Sequence, residues 1–268
     1  MHRRGFSPHN TRNSMNHTLL RAIVGALLLG IIAGCSATGP SSHVLFIGNS
    51  YTTENNLSRL FADLSNAGRH PVAVDVVAVG GATLAQHLKS PDAPGRIASR
   101  SWDVVVLQEQ SILPAIPSQR TTGMYPAVRQ LVQKARNAGA RPVLLLTWGR
   151  RDGLPDAGFN SYDAMQAQLT KGYQGIADEL GVTVAPAGEA WSREVAQGRG
   201  QVLWQADGSH PSLVGSYLTA CVLYATIYGE SPVGLPAPGG ISQEDAKLLQ
   251  QIAYDTMLSD PARWRVLR

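Results

Sequence analysis

Near the end of the chain, Asp207-Gly208-Ser209-His210-Pro211 sets a carboxylate three residues before a histidine. Far upstream, Gly48-Asn49-Ser50-Tyr51-Thr52 follows the apolar run 44–47. A serine hydroxyl is a weak nucleophile until a base takes its proton. Histidine is the usual base, because an unperturbed imidazole titrates near neutrality. A carboxylate held against the other ring nitrogen fixes the tautomer and stabilises the imidazolium that forms. Ser50, His210 and Asp207 are therefore candidates for nucleophile, base and orienting acid in acyl transfer. The competing readings are ordinary: Ser50 as the cap of the helix that follows it, and Asp207 as part of a tight turn with Gly208. The D-x-x-H spacing weighs against both, because one short loop then supplies base and carboxylate together.

The elements that must position these residues are legible as alternating runs. Strands are expected at 44–47, 72–79, 103–107, 142–147 and 182–185, several nearly continuous in Val and Leu, as strands buried on both faces should be. Helical spacing marks 55–67, 83–88, 125–138, 162–180, 211–228 and 243–258. Val128, Leu131, Val132 and Ala135, for instance, fall at i, i+3, i+4 and i+7. Gly68, Gly139 and Gly181 sit just past three of these helices, where a helix commonly ends. Repeated β-α units predict an α/β fold, a three-layer α/β/α sandwich with a central parallel sheet of about five strands. Ligand sites in such folds lie beyond the carboxyl ends of the strands, where Ser50, Gly81, Gln108 and Gln110 all fall. The longest loops, 112–122 and 149–160, follow strands on that same edge and are candidate substrate walls.

The blocks resemble the SGNH (GDSL-like) hydrolase family, over about residues 44–228. Gly48-Asn49-Ser50 is similar to its nucleophile block, with Asn49 where aspartate is usual. The resemblance implies that a glycine after strand two gives a backbone N–H to the oxyanion hole. Gly81 of Val79-Gly80-Gly81-Ala82-Thr83 matches that glycine better than its rival Gly80. The family's third block supplies an asparagine side chain to the same hole. Here the segment reads Leu107-Gln108-Glu109-Gln110-Ser111. A glutamine offers the same N–H₂ group on a longer arm. Gln108 and Gln110 are both candidates, and strand alternation does not choose between them. The family fold is flavodoxin-like. Its members act on acetylated carbohydrates, lipids, thioesters and aryl esters.

Composition narrows the surroundings. The 268 residues are 44% hydrophobic and 16% charged, ordinary for a globular body. Residues 1–34 are different: Arg3, Arg4, Arg12 and Arg21 with no acid, then the uncharged run 22–33. That run is too short to span a bilayer, which takes roughly 20 residues, and it reads as an export signal. Met15 would begin a signal of more usual length. Ile32-Ala33-Gly34-Cys35 resembles a bacterial lipobox, so Cys35 is the expected lipid-bearing N-terminus, with residues 35–42 as a tether to the domain 43–268. The expected location is the cell envelope, at the outer membrane facing the periplasm. Without the signal the chain carries 19 basic and 19 acidic residues, and no basic run that would track nucleic acid. Cys221 lies in an apolar helical run and reads as a small core residue. No spacing suggests a metal or cofactor.

The expectation from sequence is an envelope serine esterase acting on a small-molecule or glycan ester, with O-acetylated carbohydrate favoured. Trp148 and Arg150, beside Arg151, are candidate substrate contacts, and Trp148 serves equally well as core filling. The rivals are a lysophospholipase or thioesterase on the same fold, and a surface lipoprotein that binds glycan without catalysis.

Overall fold

The computed structural model describes residues 42–266, together with residues 1, 2 and 5. The apolar core of the expected signal, Cys35 and the tether as far as residue 41 lie outside the described residues.

Five parallel strands form one sheet: β1 (Ser42–Gly48), β2 (Val72–Ala78), β3 (Val104–Leu107), β4 (Arg141–Leu145) and β5 (Thr183–Ala185), in the order β2-β1-β3-β4-β5. Strand alternation splits the core in two. Val44, Phe46, Val104, Val106, Val143 and Leu145 face one side, with Leu45, Ile47, Val105, Leu107 and Leu144 on the other. The first face is covered by α2 (Leu57–Ala67), α7 (Ala187–Ala196), α8 (Leu213–Tyr228) and α9 (Gln243–Leu258). The second is covered by α3 (Leu84–Lys89), α4 (Asp92–Ala98), α5 (Tyr125–Asn137) and α6 (Tyr162–Leu180). One short helix, α1 (Ser50–Thr53), follows β1 directly. The layers are those expected from the β-α alternation. Among the described residues no helix is long and apolar enough to cross a membrane.

The chain leaves β1 outward to β2 and then crosses to β3 on the opposite side of β1. Connections therefore diverge between β1 and β3, which opens a crevice at their carboxyl ends. Ser50 lies two residues past β1 and Gln110 three past β3. Ordinary sheet topology thus places the nucleophile candidate and one donor candidate at the same mouth.

Several boundaries depart from expectation. Helices α4 and α7 were not predicted: α4 carries Pro94-Gly95 in its middle, and α7 follows Pro186 and contains Gly188, all of them signals that normally argue against helix. Helix α8 starts at Leu213 rather than 211, because the Ser212 hydroxyl caps the Gly215 N–H. Segment 112–122 is not an open loop. It is built of short helical turns at Leu113–Ala115 and Pro117–Gln119, then a wide turn running into α5. Strand β4 stops at Leu145, two residues short of its predicted end.

Candidate active site

Residues separated by 160 positions meet at the crevice. The Ser50 Oγ lies 3.0 Å from His210 Nε2, and His210 Nδ1 lies 2.5 Å from Asp207 Oδ2. A carboxylate can only accept, so Nδ1 carries the proton and Nε2 is left to accept from the serine hydroxyl. The other Asp207 oxygen accepts from the backbone N–H groups of Ser209 and His210, at 2.9 and 3.0 Å. Desolvation would raise the Asp207 pKa. The His210 ring and these two N–H groups more than offset it, and the carboxyl is held down at about 2. It is therefore an anion throughout the range in which an imidazole can act as base.

The loop bearing His210 is fixed from several sides. Its Gly208 carbonyl accepts from the Arg151 N–H at 2.9 Å, and the His210 carbonyl from the Gln205 N–H at 2.8 Å. Trp148 Nε1 donates to the Ser209 carbonyl at 3.2 Å, and the Tyr51 hydroxyl bonds the Ser209 hydroxyl at 2.9 Å. Trp148 is 1% exposed, stacked between Tyr51 and Trp191 at ring separations of 4.7 and 4.1 Å. It is therefore no substrate platform. Burial among rings contributed by distant elements makes it a support beneath the D-x-x-H loop.

The loop bearing Ser50 is locked in the same way. Asn49 is buried and caps α1 through its Oδ1, which accepts from the Tyr51 N–H at 3.1 Å. Its Nδ2 donates to the Ala82 carbonyl at 3.0 Å, tying the serine loop to the Gly80-Gly81 turn. Gly48 has no room for a side chain: a Cβ there would sit 2.4 Å from Thr52 Oγ1 and 2.5 Å from Gln108 Oε1. The Gly48 carbonyl accepts from His87 Nε2 at 2.6 Å.

The two candidate glutamines part company here. Gln108 is 1% exposed. Its amide nitrogen donates to Asn49 Oδ1 and to the Glu109 carbonyl, and its oxygen accepts from the Asn49 N–H and the Thr52 hydroxyl. With both donors spent inside the core and no face on the cleft, Gln108 is corrected from oxyanion candidate to structural clamp. Gln110 does line the cleft. Its Oε1 accepts from the Ile112 and Leu113 N–H groups at 2.7 and 3.2 Å, which fixes the arm and leaves Nε2 unengaged. Gly81 also lines the cleft, with φ of 69°, a conformation open to glycine at little cost. Among the described residues, the N–H groups of Ser50, Gly80 and Gly81 make no internal hydrogen bond. Ser50, Gly81 and Gln110 thus bring unspent donors to one cleft of about 420 Å³, whose wall also includes His210 and Arg150. A larger hollow of about 780 Å³, near Arg141 and Thr183, holds no nucleophile beside a base.

Two further residues support the site. His87 falls within the helix expected at 83–88, and the apolar spacing there gives no hint that its ring reaches β1. Glu109 is fully buried. Its Oε1 accepts from the Leu84 and Gln110 N–H groups at 3.0 and 2.7 Å, so one carboxyl spans both arms of the donor set. Burial pushes it up to about 7, against the pull of those two N–H groups.

No protein-family model matches the sequence, and neither does any curated protein. Solved structures do. A Slackia heliotrinireducens protein described as an SGNH hydrolase is 34% identical, with a TM-score of 0.61, covering 69% of this chain and 98% of its own. A DUF4886 family protein from Bacteroides uniformis has a TM-score of 0.70 at 19% identity, over 81% of this chain and 95% of its own. An acetylxylan esterase from Geobacillus stearothermophilus has a TM-score of 0.51 at 17% identity, over 69% and 92%. The last two likenesses concern the fold alone. The first, at its identity and coverage, identifies the family: this chain belongs to the SGNH hydrolases.

Proposed function

We propose that the chain is a serine esterase working through an acyl-enzyme, with Ser50 as nucleophile, His210 as base and Asp207 as orienting acid. The observation that carries this is the unbroken relay from Ser50 Oγ through both His210 nitrogens to Asp207, beside unspent donors on Ser50, Gly81 and Gln110. Ser50 Oγ adds to the ester carbonyl while its proton passes to Nε2. The oxyanion is received by the two backbone N–H groups and the Gln110 amide. His210 returns the proton to the departing alcohol. Water, deprotonated by the same ring, then releases the acid, so the net change is ester plus water to alcohol plus acid.

Short acyl esters of carbohydrate are the substrate class we favour. Apart from the Tyr51 ring, the cleft wall is polar or glycine and offers no large aliphatic side chain to a long acyl tail. The acetylxylan esterase among the fold relatives is consistent with that choice. We further propose, on the Ile32-Ala33-Gly34-Cys35 sequence, that Cys35 is acylated and holds the enzyme at the cell envelope.

Labelling by a fluorophosphonate probe and release of acetate from acetylated xylo-oligosaccharides test the activity together. Ser50→Ala should lose both while keeping its melting temperature, with turnover down on the order of a million-fold. Activity within tenfold of wild type would refute the assignment. Mass spectrometry of the mature protein tests the anchor: an unmodified Cys35 would refute it.

A further inference from the structure

The cleft holds one charge that nothing around it answers. Arg150 lines it together with Ser50 and His210. Its Nε is buried without a hydrogen-bond partner, and its backbone N–H donates to Met165 Sδ at 3.4 Å. Among the described residues no carboxylate forms an ion pair with it. The next residue makes the contrast: Arg151 pairs with Asp152 at 2.9 Å. Asp207, the carboxylate of the triad, is committed to His210.

For a neutral substrate this arrangement is a handicap. A guanidinium partly withdrawn from water, with a donor unmet, costs free energy that no ion pair among the described residues offsets. A cation beside the cleft also opposes the imidazolium that must form on His210. An anion entering with the substrate answers the charge of Arg150 and removes its opposition to the imidazolium. The planar guanidinium fork matches a carboxylate with two parallel bonds.

Building on the esterase reading, we infer that Arg150 is a specificity residue that binds a carboxylate on the alcohol part of the substrate. The preferred substrates are then O-acetylated acidic saccharides of the uronate type, rather than neutral ones. The carboxylate docks on Arg150 and directs a neighbouring acetyl ester toward Ser50. The same charge excludes cationic esters.

The test uses three matched esters: 3-acetoxybenzoate, 3-acetoxybenzenesulfonate and 3-acetoxybenzamide. The full chain should show a kcat/KM about tenfold or more higher for the benzoate than for the amide, the size of one charge-assisted contact. That preference should shrink with added salt. Arg150→Met should bring the benzoate-to-amide ratio close to one, and Arg150→Lys should restore part of it, with melting temperatures confirming that both variants fold. An unchanged ratio in Arg150→Met, or equal slowing of all three esters, would overturn the inference; equal slowing would mean that Arg150 serves the oxyanion instead. Faster turnover of the sulfonate than of the benzoate would overturn the choice of carboxylate. If no ester is cleaved at all, the esterase reading itself fails. Calorimetric titration of 3-acetoxybenzoate into Ser50→Ala and into Ser50→Ala/Arg150→Met then decides the anion site separately: binding in the first and loss in the second supports it, and equal or absent binding overturns it.

Discussion

Asn49 and Gln108 are joined by a reciprocal pair of hydrogen bonds, Asn49 N–H to Gln108 Oε1 and Gln108 Nε2 to Asn49 Oδ1, each 3.0 Å. The residue just before the nucleophile is thereby clamped to the first residue past β3, across the crevice where the sheet's connections diverge. The clamp makes Gln108 and Gln110 separable by experiment. Gln108→Ala strips the Asn49 N–H of its buried acceptor and should cost about 1–3 kcal/mol of stability. Gln110→Ala should cost less stability than Gln108→Ala, because the part-buried Ile112 and Leu113 N–H groups it frees can turn to water, and should lower kcat roughly 100-fold, about 2.7 kcal/mol at the transition state, with little effect on KM. Denaturant melts and steady-state kinetics on both variants check this. Equal and mild effects would mean that another group completes the hole.

Asn49 itself should resist the exchange to aspartate, although aspartate is the family's usual residue there. Its Nδ2 faces the Ala82 carbonyl, and a carboxylate oxygen in that place would set acceptor against acceptor inside the core. Asn49→Asp should lose about 1–3 kcal/mol at neutral pH. Acidification should restore part of the loss, because a protonated carboxyl can again donate to Ala82. Melting curves at pH 4 and pH 8 test the sign: a deficit that grows on acidification would rule out this contact as the cause.

The strands and the D-x-x-H loop were legible because their signals are local. Val104 to Leu107 is apolar without interruption, as a central parallel strand must be, and a three-residue offset suffices to put Asp207 under His210. The choice between Gln108 and Gln110 was not legible. It depends on where β3 releases the chain, at Leu107, and on Asn49, which lies 59 residues away. Trp148 was ambiguous for the same reason: the rings that bury it, Tyr51 and Trp191, come from elements that only the fold brings near. Helices α4 and α7 hid behind Pro94-Gly95 and Pro186, local breakers overruled by burial of Ala93, Ile97, Ala190 and Trp191.

Trp148 should behave as a buried support. Trp148→Ala is expected to cost about 3–5 kcal/mol, the usual range for deleting a large buried ring. Trp148→Phe keeps an aromatic body but loses the Nε1 donor to Ser209, so the loop carrying His210 is less firmly held. A several-fold fall in kcat with KM steady is the expected result for the second variant. A raised KM for acetylated xylo-oligosaccharide with unchanged stability would instead identify a substrate platform.

Glu109 supplies a prediction with a definite sign. Burial raises its pKa from the ordinary 4.5 to about 7, so the native state binds a proton more tightly than the unfolded chain does. Stability from this group is therefore complete below pH 4.5 and is lost as pH rises through about 7. Glu109→Gln keeps an oxygen to accept from the Leu84 and Gln110 N–H groups and removes the titration. Wild type should thus weaken relative to Glu109→Gln between pH 4.5 and pH 8, by roughly 3 kcal/mol at most, the equivalent of about 2.5 pKa units. Because Glu109 braces the segment bearing Gln110, Glu109→Ala should lower kcat sharply while Glu109→Gln preserves most of it. Denaturant unfolding of wild type and Glu109→Gln at several pH values is the deciding measurement. Parallel stability profiles for the two proteins would show that Glu109 is ionised in the native state over this range, and would overturn the raised pKa.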